Sequence, residues 1–391
     1  MRLKAIKYIR FKNEKNEWSI EGRPINNKYN QSLTINQINL IVGKNATGKT
    51  NTINAIRTIA DLISGDKKLS SLVYNTFKYD LLFEDNFEDL LYTLDVKKGE
   101  VVQEILKIGK VEKLNRAKGE LFYELENKNL SFQTDKDILA ISRRDSKQQP
   151  FFESIYNWGK TLNHYKFGGL LGKETFLKEI NSADSDKELN LKDTNKVTGV
   201  LIKGQSQFKD TFISAIIEDM HKIGYPLKTI DTRNLKYIPL NILGLAVQEN
   251  DLDDYTDQDE MSQGMFRALS LIIQLNYSLF TNNPSCILID DIGEGLDFER
   301  SKSLIELIIA KSEKSSVQVL MTTNDRFVMN KIPLQYWSLI KREKHKSIFY
   351  NYQNSKDTFD EFSLTGLNNF EFFSSDFYIH GFDDFTKDVK K

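Results

Sequence analysis

Residues 43–50 read Gly43-Lys44-Asn45-Ala46-Thr47-Gly48-Lys49-Thr50, a full match to the pattern GxxxxGK[ST]. Upstream, Ile35 to Val42 ends in the apolar run Leu40-Ile41-Val42, suited to a buried strand. Downstream, Ile53, Ile56, Ile59, Ala60 and Ile63 fall near helical spacing. Strand, glycine-rich turn and helix in this order give the pattern a mechanism. The glycines let successive N–H groups turn inward, and those amides and the following helix N-terminus attract phosphate oxygens. Lys49 is placed to neutralise β- and γ-phosphates, and the Thr50 hydroxyl to bind Mg²⁺. A chance glycine-rich turn explains the loop but not both flanks.

A second apolar strand, Cys286-Ile287-Leu288-Ile289, ends in the acids Asp290 and Asp291. In a phosphate-binding α/β protein the first acid at such a strand end can hold Mg²⁺. The second can orient an attacking water. An acidic helix N-terminus is the plainer reading of this pair, and the upstream phosphate loop is what favours the catalytic one. Before the acids stands Met261-Ser262-Gln263-Gly264-Met265-Phe266-Arg267, and after them Gly295-Leu296-Asp297. Ser262 is a good N-cap, and Leu269, Ile272, Ile273 and Leu279 give the residues after it an amphipathic helical face.

This ordered set resembles the ATP-binding-cassette (ABC) superfamily. Ser262-Gln263-Gly264 resembles the Ser-Gly-Gly of its signature, Gly295-Leu296-Asp297 its D-loop, and Thr322-Thr323-Asn324-Asp325 falls where the family carries Thr-His-Asp. The long separation between the phosphate loop and the signature is similar to the SMC, RecF and OLD-like branch. The resemblance covers roughly residues 1–110 and 235–352. It implies an α/β fold: a P-loop NTPase head of ABC type, with a mixed central sheet, an antiparallel β lobe and an inserted helical region. It also implies a homodimer, or a higher assembly, closed by ATP, in which Ser262 and Gly264 meet the nucleotide of the other copy. Asp291 is then the water-positioning base and Asn324 the switch residue. Such heads often serve DNA repair or defence against phage with a separate effector protein. The cofactors implied are ATP and Mg²⁺.

Three departures bear on turnover. Asp291 stands for the usual Glu and is one methylene shorter. Asn324 stands for a histidine and can hydrogen-bond but not take a proton. Ala46 stands for a common Gly. They leave a second reading open, a nucleotide-gated scaffold or regulator with negligible turnover. Gln148 and Gln149 are candidates for the Q-loop and equally a polar loop before Pro150. Phe11 and Trp18 are candidates for stacking on adenine, with core or strand packing the plainer reading of each. Arg57 is a candidate for coupling to the signature, with a solvated face the plainer reading.

The organisation follows. Residues 1–145 are expected to form the N-terminal half of the head, and 146–235 a helical insertion. Residues 236–352 form the C-terminal half, and 353–391 an aromatic-rich tail that is a cap, a docking segment or a frayed end. From Val73 to Ile141, short apolar segments separated by Asn, Asp, Gly and Lys predict an antiparallel meander. Asn181–Lys196 reads as a polar loop. Strand–helix alternation at both ends predicts one sheet assembled from both ends of the chain. The insertion lacks the sustained heptads of a long coiled-coil arm. Residues 326–391 are too few for a closing hairpin and a toprim nuclease domain, although Asp383 and Asp384 form an acidic pair.

Composition narrows the classes. Lys and Arg number 54 against 55 Asp and Glu, for a net charge of −1, which excludes a polybasic nucleic-acid coat. Lys107, Lys110, Lys113, Arg116 and Lys118, with Arg143 and Arg144, still offer a local patch for DNA, or an ordinary solvated face. One cysteine, Cys286, excludes an intramolecular disulfide and a Cys-cluster zinc site. No apolar run approaches a membrane span, and Met1 to Lys7 is charged with no apolar region behind it. A cytoplasmic protein without membrane partners is expected, and the motor of a membrane transporter is disfavoured.

Overall fold

Period-two alternation builds most of the first half of the chain. β1 (Arg2–Arg10), β2 (Trp18–Gly22), β3 (Leu33–Thr34) and β4 (Ile38–Val42) precede α1 (Lys49–Ile63). A meander follows: β5 (Phe77–Asp85), β6 (Glu88–Lys97), β7 (Glu100–Ile108), β8 (Val111–Asn115), β9 (Glu120–Tyr123) and β10 (Lys128–Ser131). α2 (Phe151–Thr161) closes this part. The computed structural model describes residues 1–24, 31–86, 88–143, 145–178, 192–236, 242–281 and 286–383. Contacts divide the chain into two units, Met1–Leu162 with Ile332–Lys391, and Asn163–Lys331.

In the first unit the strands run β10-β9-β8-β7-β6-β5-β1-β2, each antiparallel to the next. One face is apolar: Phe77, Tyr79, Leu81 and Phe83 of β5 alternate with exposed or half-buried neighbours, as do Leu90, Tyr92, Leu94 and Val96 of β6. Fully burying a large apolar side chain contributes about 1.5–3 kcal/mol over leaving it in water. The Tyr79 hydroxyl donates to the Ala55 carbonyl of α1 at 3.0 Å, and Trp158 of α2 meets Phe83 edge-on at 4.8 Å. The two helices approach closely at Gly159, where a Cβ would lie 2.7 Å from the Ala60 carbonyl oxygen.

The meander is tied at its far end by a buried carboxylate. Glu104 accepts from the backbone N–H groups of Ala140 (2.8 Å) and Ile141 (3.1 Å), the Tyr92 hydroxyl (3.1 Å) and the Arg116 guanidinium (3.4 Å). Arg116 donates as well to the carbonyls of Ile138 and Asp135 at 2.6 and 2.7 Å. Burial pushes the Glu104 carboxyl above its usual range, against the opposing pull of the two N–H groups and Arg116.

The second unit begins with β11 (Asn163–Lys166), β12 (Leu177–Lys178), α3 (Val197–Lys222), β13 (Leu227–Asn234), β14 (Ile242–Glu249) and β15 (Thr256–Asp257). It continues through α4 (Gln263–Phe280), β16 (Cys286–Asp290), α5 (Phe298–Glu313), β17 (Gln318–Thr323) and α6 (Arg326–Lys331). β17, β16 and β11 lie side by side in parallel, and β16 and β17 are buried throughout, as their unbroken apolar runs require. β12, β14 and β13 form a small antiparallel sheet. α3 breaks at Lys209, whose φ is 53°, and there Phe208 and Phe212 meet Tyr277 and Phe280 of α4.

The chain then returns to the first unit as β18 (Trp337–Glu343) and β19 (Lys346–Asn351). β19 pairs in parallel with β2, and β18 in parallel with β4, so both chain ends do share a sheet. α7 (Lys356–Ser363), α8 (Asn369–Ser374) and α9 (Phe377–His380) follow. Phe359, Phe362, Phe372 and Phe377 form one aromatic cluster, and Tyr378 meets Tyr350 of β19 at 5.2 Å. Up to residue 383 the tail is thus a folded cap.

Two expectations need correction. The strand foreseen over 35–42 starts only at Ile38, because Asn36 and Asn39 form a side-chain-closed turn (Asn36 N–H to Asn39 Oδ1, 2.9 Å; Asn39 Nδ2 to Asn36 O, 2.8 Å). The stretch read as mostly helical also carries β11 and β13. Most of the polar loop foreseen over 181–196, Arg144, Asp384 and the Asp383 side chain lie outside the described residues.

The turn between β4 and α1 has an unusual backbone: φ is 62° at Ala46 and 113° at Gly48. A Cβ in the left-handed region costs about 1–2 kcal/mol, and a glycine there gives back part of that gain as chain entropy on unfolding. Ala46→Gly should therefore raise stability to urea by up to about 1 kcal/mol; a fall in stability would contradict the strained backbone. Glu104→Ala leaves its four donors without an acceptor and should cost about 3–5 kcal/mol, while Glu104→Gln, which keeps an acceptor oxygen, should cost less. Because the folded pKa is raised, the Glu104 contribution is complete below the unfolded value and fades as pH rises through the folded one. Unfolding midpoints of Glu104→Gln should accordingly vary less with pH in that window than those of the wild type.

Candidate functional site

The phosphate-loop residues sit in the first unit, between a fully buried β4 and the first turn of α1. Two glycines are required by space. A Cβ on Gly43 would lie 2.3 Å from Ile340 Cγ2, and one on Gly48 would lie 2.7 Å from Ser347 Oγ. The Trp18 indole N–H donates to Ser347 Oγ at 3.0 Å, and that hydroxyl donates to the Thr47 carbonyl at 2.8 Å. Thr47 Oγ1 donates to the Lys44 carbonyl (2.8 Å), and Arg342 to the Ala46 carbonyl (3.3 Å). The Ala46 and Thr47 carbonyls are thereby held by neighbours from outside the loop. The buried Lys49 ammonium donates to the carbonyls of Gly43 at 2.7 Å and Lys44 at 3.2 Å, so its charge is folded over the loop itself. Lys44, Asn45, Ala46 and Thr50 are exposed, and Lys44 pairs with Asp376 of the tail cap at 3.3 Å.

Beside the loop opens a cleft of about 530 Å³ lined by Arg10, Lys15, Trp18, Tyr74 and Arg342 together with Ala46, Thr47 and Gly48. Arg10, Lys15 and Arg342 outnumber the one acid of the lining, Glu17, which favours an anionic ligand. Arg10 lies over the Tyr74 ring at 4.1 Å and within 5.1 Å of Trp18. Trp18 is buried against Tyr8, and Phe11 meets Tyr74 edge-on at 5.8 Å. A glycine-containing loop at a helix N-terminus, a lysine folded over it and a cation-bearing cleft beside it fit the phosphates of a nucleotide.

The acids, signature, D-loop and switch residues gather in the second unit. Thr322, near the end of β17, links the two acids. Its hydroxyl donates to Asp290 Oδ1 at 2.6 Å and accepts the Asp291 N–H at 2.9 Å. Asp291 has φ 56°, which turns the chain off β16, and the Ile292 N–H donates to the Thr322 carbonyl at 2.9 Å. Asn324 Nδ2 reaches Asp291 Oδ1 at 3.4 Å, a long contact. Asp291, Glu294, Thr323, Asn324 and Asp325 line an open cleft of about 390 Å³.

Ser262 caps α4, its hydroxyl accepting the Met265 N–H at 3.2 Å, and no acidic side chain occupies the first turn. Gly264 is buried under the D-loop, where a Cβ would lie 2.7 Å from the Gly295 carbonyl oxygen. Asp297 caps α5, and its carboxyl is held below the usual range by the Arg300 backbone N–H and guanidinium.

Ser347 is the site residue that sequence reading passes over, as a strand position with no signal of its own. Thr322 reads in the sequence only as part of the motif over 322–325, which gives no sign of its link between the two acids. Gln148 and Gln149 lie in a turn closed by Asp145, which accepts the N–H groups of Lys147 and Gln148 at 2.8 and 3.0 Å ahead of α2. Arg57 pairs with Asp61 at 3.6 Å. The basic patch is locally neutralised: Lys107 and Lys118 flank Glu112, Lys113 pairs with Glu124, Arg116 with Glu104 and Arg143 with Asp135.

Residues 38–330 match the family described as "AAA domain, putative AbiEii toxin, Type IV TA system". No curated protein matches the chain. Among solved structures, an Smc head bound to the C-terminal winged-helix domain of ScpA aligns over 89% of this chain and 97% of its own, at TM-score 0.52 and 13% identity. The SMC head domain from Thermotoga maritima aligns over 89% and 98%, at 13% identity and TM-score 0.43. The Smc head with an extended coiled coil, bound to the C-terminal domain of ScpA derived from Pyrococcus furiosus, aligns over 93% and 99%, at 13% identity and TM-score 0.47. The first of these carries the likeness of fold. Among the described residues no helix is long and apolar enough to cross a membrane. The chain belongs to the AbiEii-like AAA-domain family and has the fold of an Smc head domain.

Proposed function

We propose that the chain is an ATP-driven switch that pairs with a second copy of itself around Mg-ATP and hydrolyses it. The observation that carries this reading is the phosphate loop, whose backbone is braced by Ser347, itself fixed by Trp18, and by Arg342, and over which Lys49 is folded onto the Gly43 and Lys44 carbonyls. Residues 43–50 bind the phosphates. Thr50 and Asp290 would hold Mg²⁺, which when bound would supply charge neutralisation at the phosphate oxygens. Thr322 fixes the orientation of the Asp290 carboxylate. Asp291 takes the proton of the attacking water as that oxygen bonds to the γ-phosphoryl group and ADP leaves. Asn324 hydrogen-bonds to Asp291 and holds it in place. Ser262 and Gly264 present the N-terminal amides of α4 to the γ-phosphate of the partner copy.

The switch works in the cytoplasm, in DNA repair or in defence against phage, through a separate effector protein. Two findings support a separate effector: the type IV TA system in the family description, and the Smc head bound to a domain of ScpA. DNA contact is a weaker component of the proposal, given the paired cations of the meander. A second reading, a nucleotide-gated scaffold with negligible turnover, is favoured by the short Asp291 side chain and its long contact with Asn324.

Light scattering on a sizing column, with and without Mg-ATP, and phosphate release on the same samples separate the two readings. Wild type should shift to a dimer with ATP and release phosphate. Asp291→Asn should stay dimeric with turnover lowered by about a hundredfold or more. Lys49→Ala should remain unresponsive. An assembly state indifferent to nucleotide in all three proteins removes the roles of Ser262 and Gly264. A nucleotide-dependent dimer without phosphate release selects the scaffold.

A further inference from the structure

Arg267 lies five residues into α4 and is only 6% exposed. Its guanidinium spends its donors on backbone carbonyls of two loops. Nε donates to Gly169 at 2.8 Å and one terminal nitrogen to Gly168 at 2.7 Å, in the loop after β11. The other terminal nitrogen donates to the Glu294 carbonyl of the D-loop at 2.8 Å. Among the described residues no carboxylate pairs with it. A buried cation held by carbonyls alone is costly, and a cation near a helix N-terminus opposes the macrodipole. The stability of α4 therefore does not account for this residue.

The surroundings are shaped to it. Gly295 has φ 81°, and a Cβ there would lie 2.5 Å from the Arg267 terminal nitrogen. Gly264, in the first turn of α4, has no room for a Cβ because the Gly295 carbonyl oxygen would lie 2.7 Å away. The D-loop backbone thus rests directly on the first turn of α4, with Arg267 as its fastener.

We propose that Arg267 is a positioning residue that locks the Glu294–Gly295 loop and the Gly168–Gly169 loop to the first turn of α4, so that the signature and the D-loop face a partner copy as one rigid edge. The part played by that edge in turnover rests on the function proposed above; the lock itself does not. A lysine cannot replace the arginine, because one ammonium cannot span three carbonyls on two separate loops.

The test uses the full chain as wild type, Arg267→Lys and Arg267→Ala, checked by thermal melting, with hydrogen exchange measured without nucleotide and ATP turnover measured with Mg²⁺. Amides of residues 168–172 and 293–297 should exchange about tenfold faster in both variants, while those of 43–50 keep the wild-type rate. The kcat should fall by about tenfold or more with KM for ATP within about twofold, and millimolar methylguanidinium should restore part of the kcat of Arg267→Ala but none to Lys49→Ala. Unchanged exchange in both loops overturns the lock, whatever the turnover. Faster exchange with wild-type kcat overturns its role in turnover, as does a kcat loss that tracks melting and is not rescued. If wild type itself releases no phosphate, the ATPase reading fails and exchange alone decides the lock. If Arg267→Ala does not fold, Arg267→Lys carries the comparison.

Discussion

The turn between β4 and α1 is the constraint on which the first unit depends. A chain leaving a buried strand must enter a helix within six residues. That demands left-handed backbone at Ala46 and Gly48, which an isolated peptide would not hold. The rest of the unit supplies the restraint. β18 and β19 bring Arg342 and Ser347 against the loop carbonyls, and Trp18 on β2 fixes the serine hydroxyl. These strands come from opposite ends of the chain and meet in one sheet, so the loop forms only when the unit has closed around it.

The second unit solves a similar problem differently. Two adjacent acids stand at the end of β16. The left-handed backbone at Asp291 turns the chain off the strand, and the Thr322 hydroxyl bridges one carboxylate and the other residue's N–H. Strain of this sort persists only where neighbours over-determine it, and such places tend to be functional. Here the neighbours are β17 and the D-loop, itself seated on the first turn of α4. The site chemistry of this unit is therefore carried by strand and helix ends rather than by free loops, which favours precise placement.

Outside these two constellations, much of the charge is structural. Lys78, Lys107, Lys113 and Lys118 of the meander pair with carboxylates within it, and Arg116 serves the buried Glu104 that ties residues 135–141 to the sheet. The Phe-rich tail forms its own small core on β19, and Asp376 brings it beside Lys44 of the phosphate loop. An interspersed acid and a run of aromatics are equally compatible with a docking tail, so composition did not distinguish the cap; ring-to-ring packing did.

The sequence by itself determined the strand–loop–helix order around residues 43–50, the ordered set from Ser262 to Asn324, the meander and the closing hairpin. These are local patterns: apolar periodicity, glycine spacing and capping residues act over a few positions and leave their mark in the text. It misplaced the start of β4, where two asparagines close a turn inside an apolar-looking run. Only the tertiary structure decided that Ser347 braces the phosphate loop, that Thr322 joins the two acids, and that Arg267 fastens two loops 126 residues apart. Hydrogen bonds between distant segments depend on which backbone carbonyls the fold brings together, and a carbonyl has no letter in the sequence.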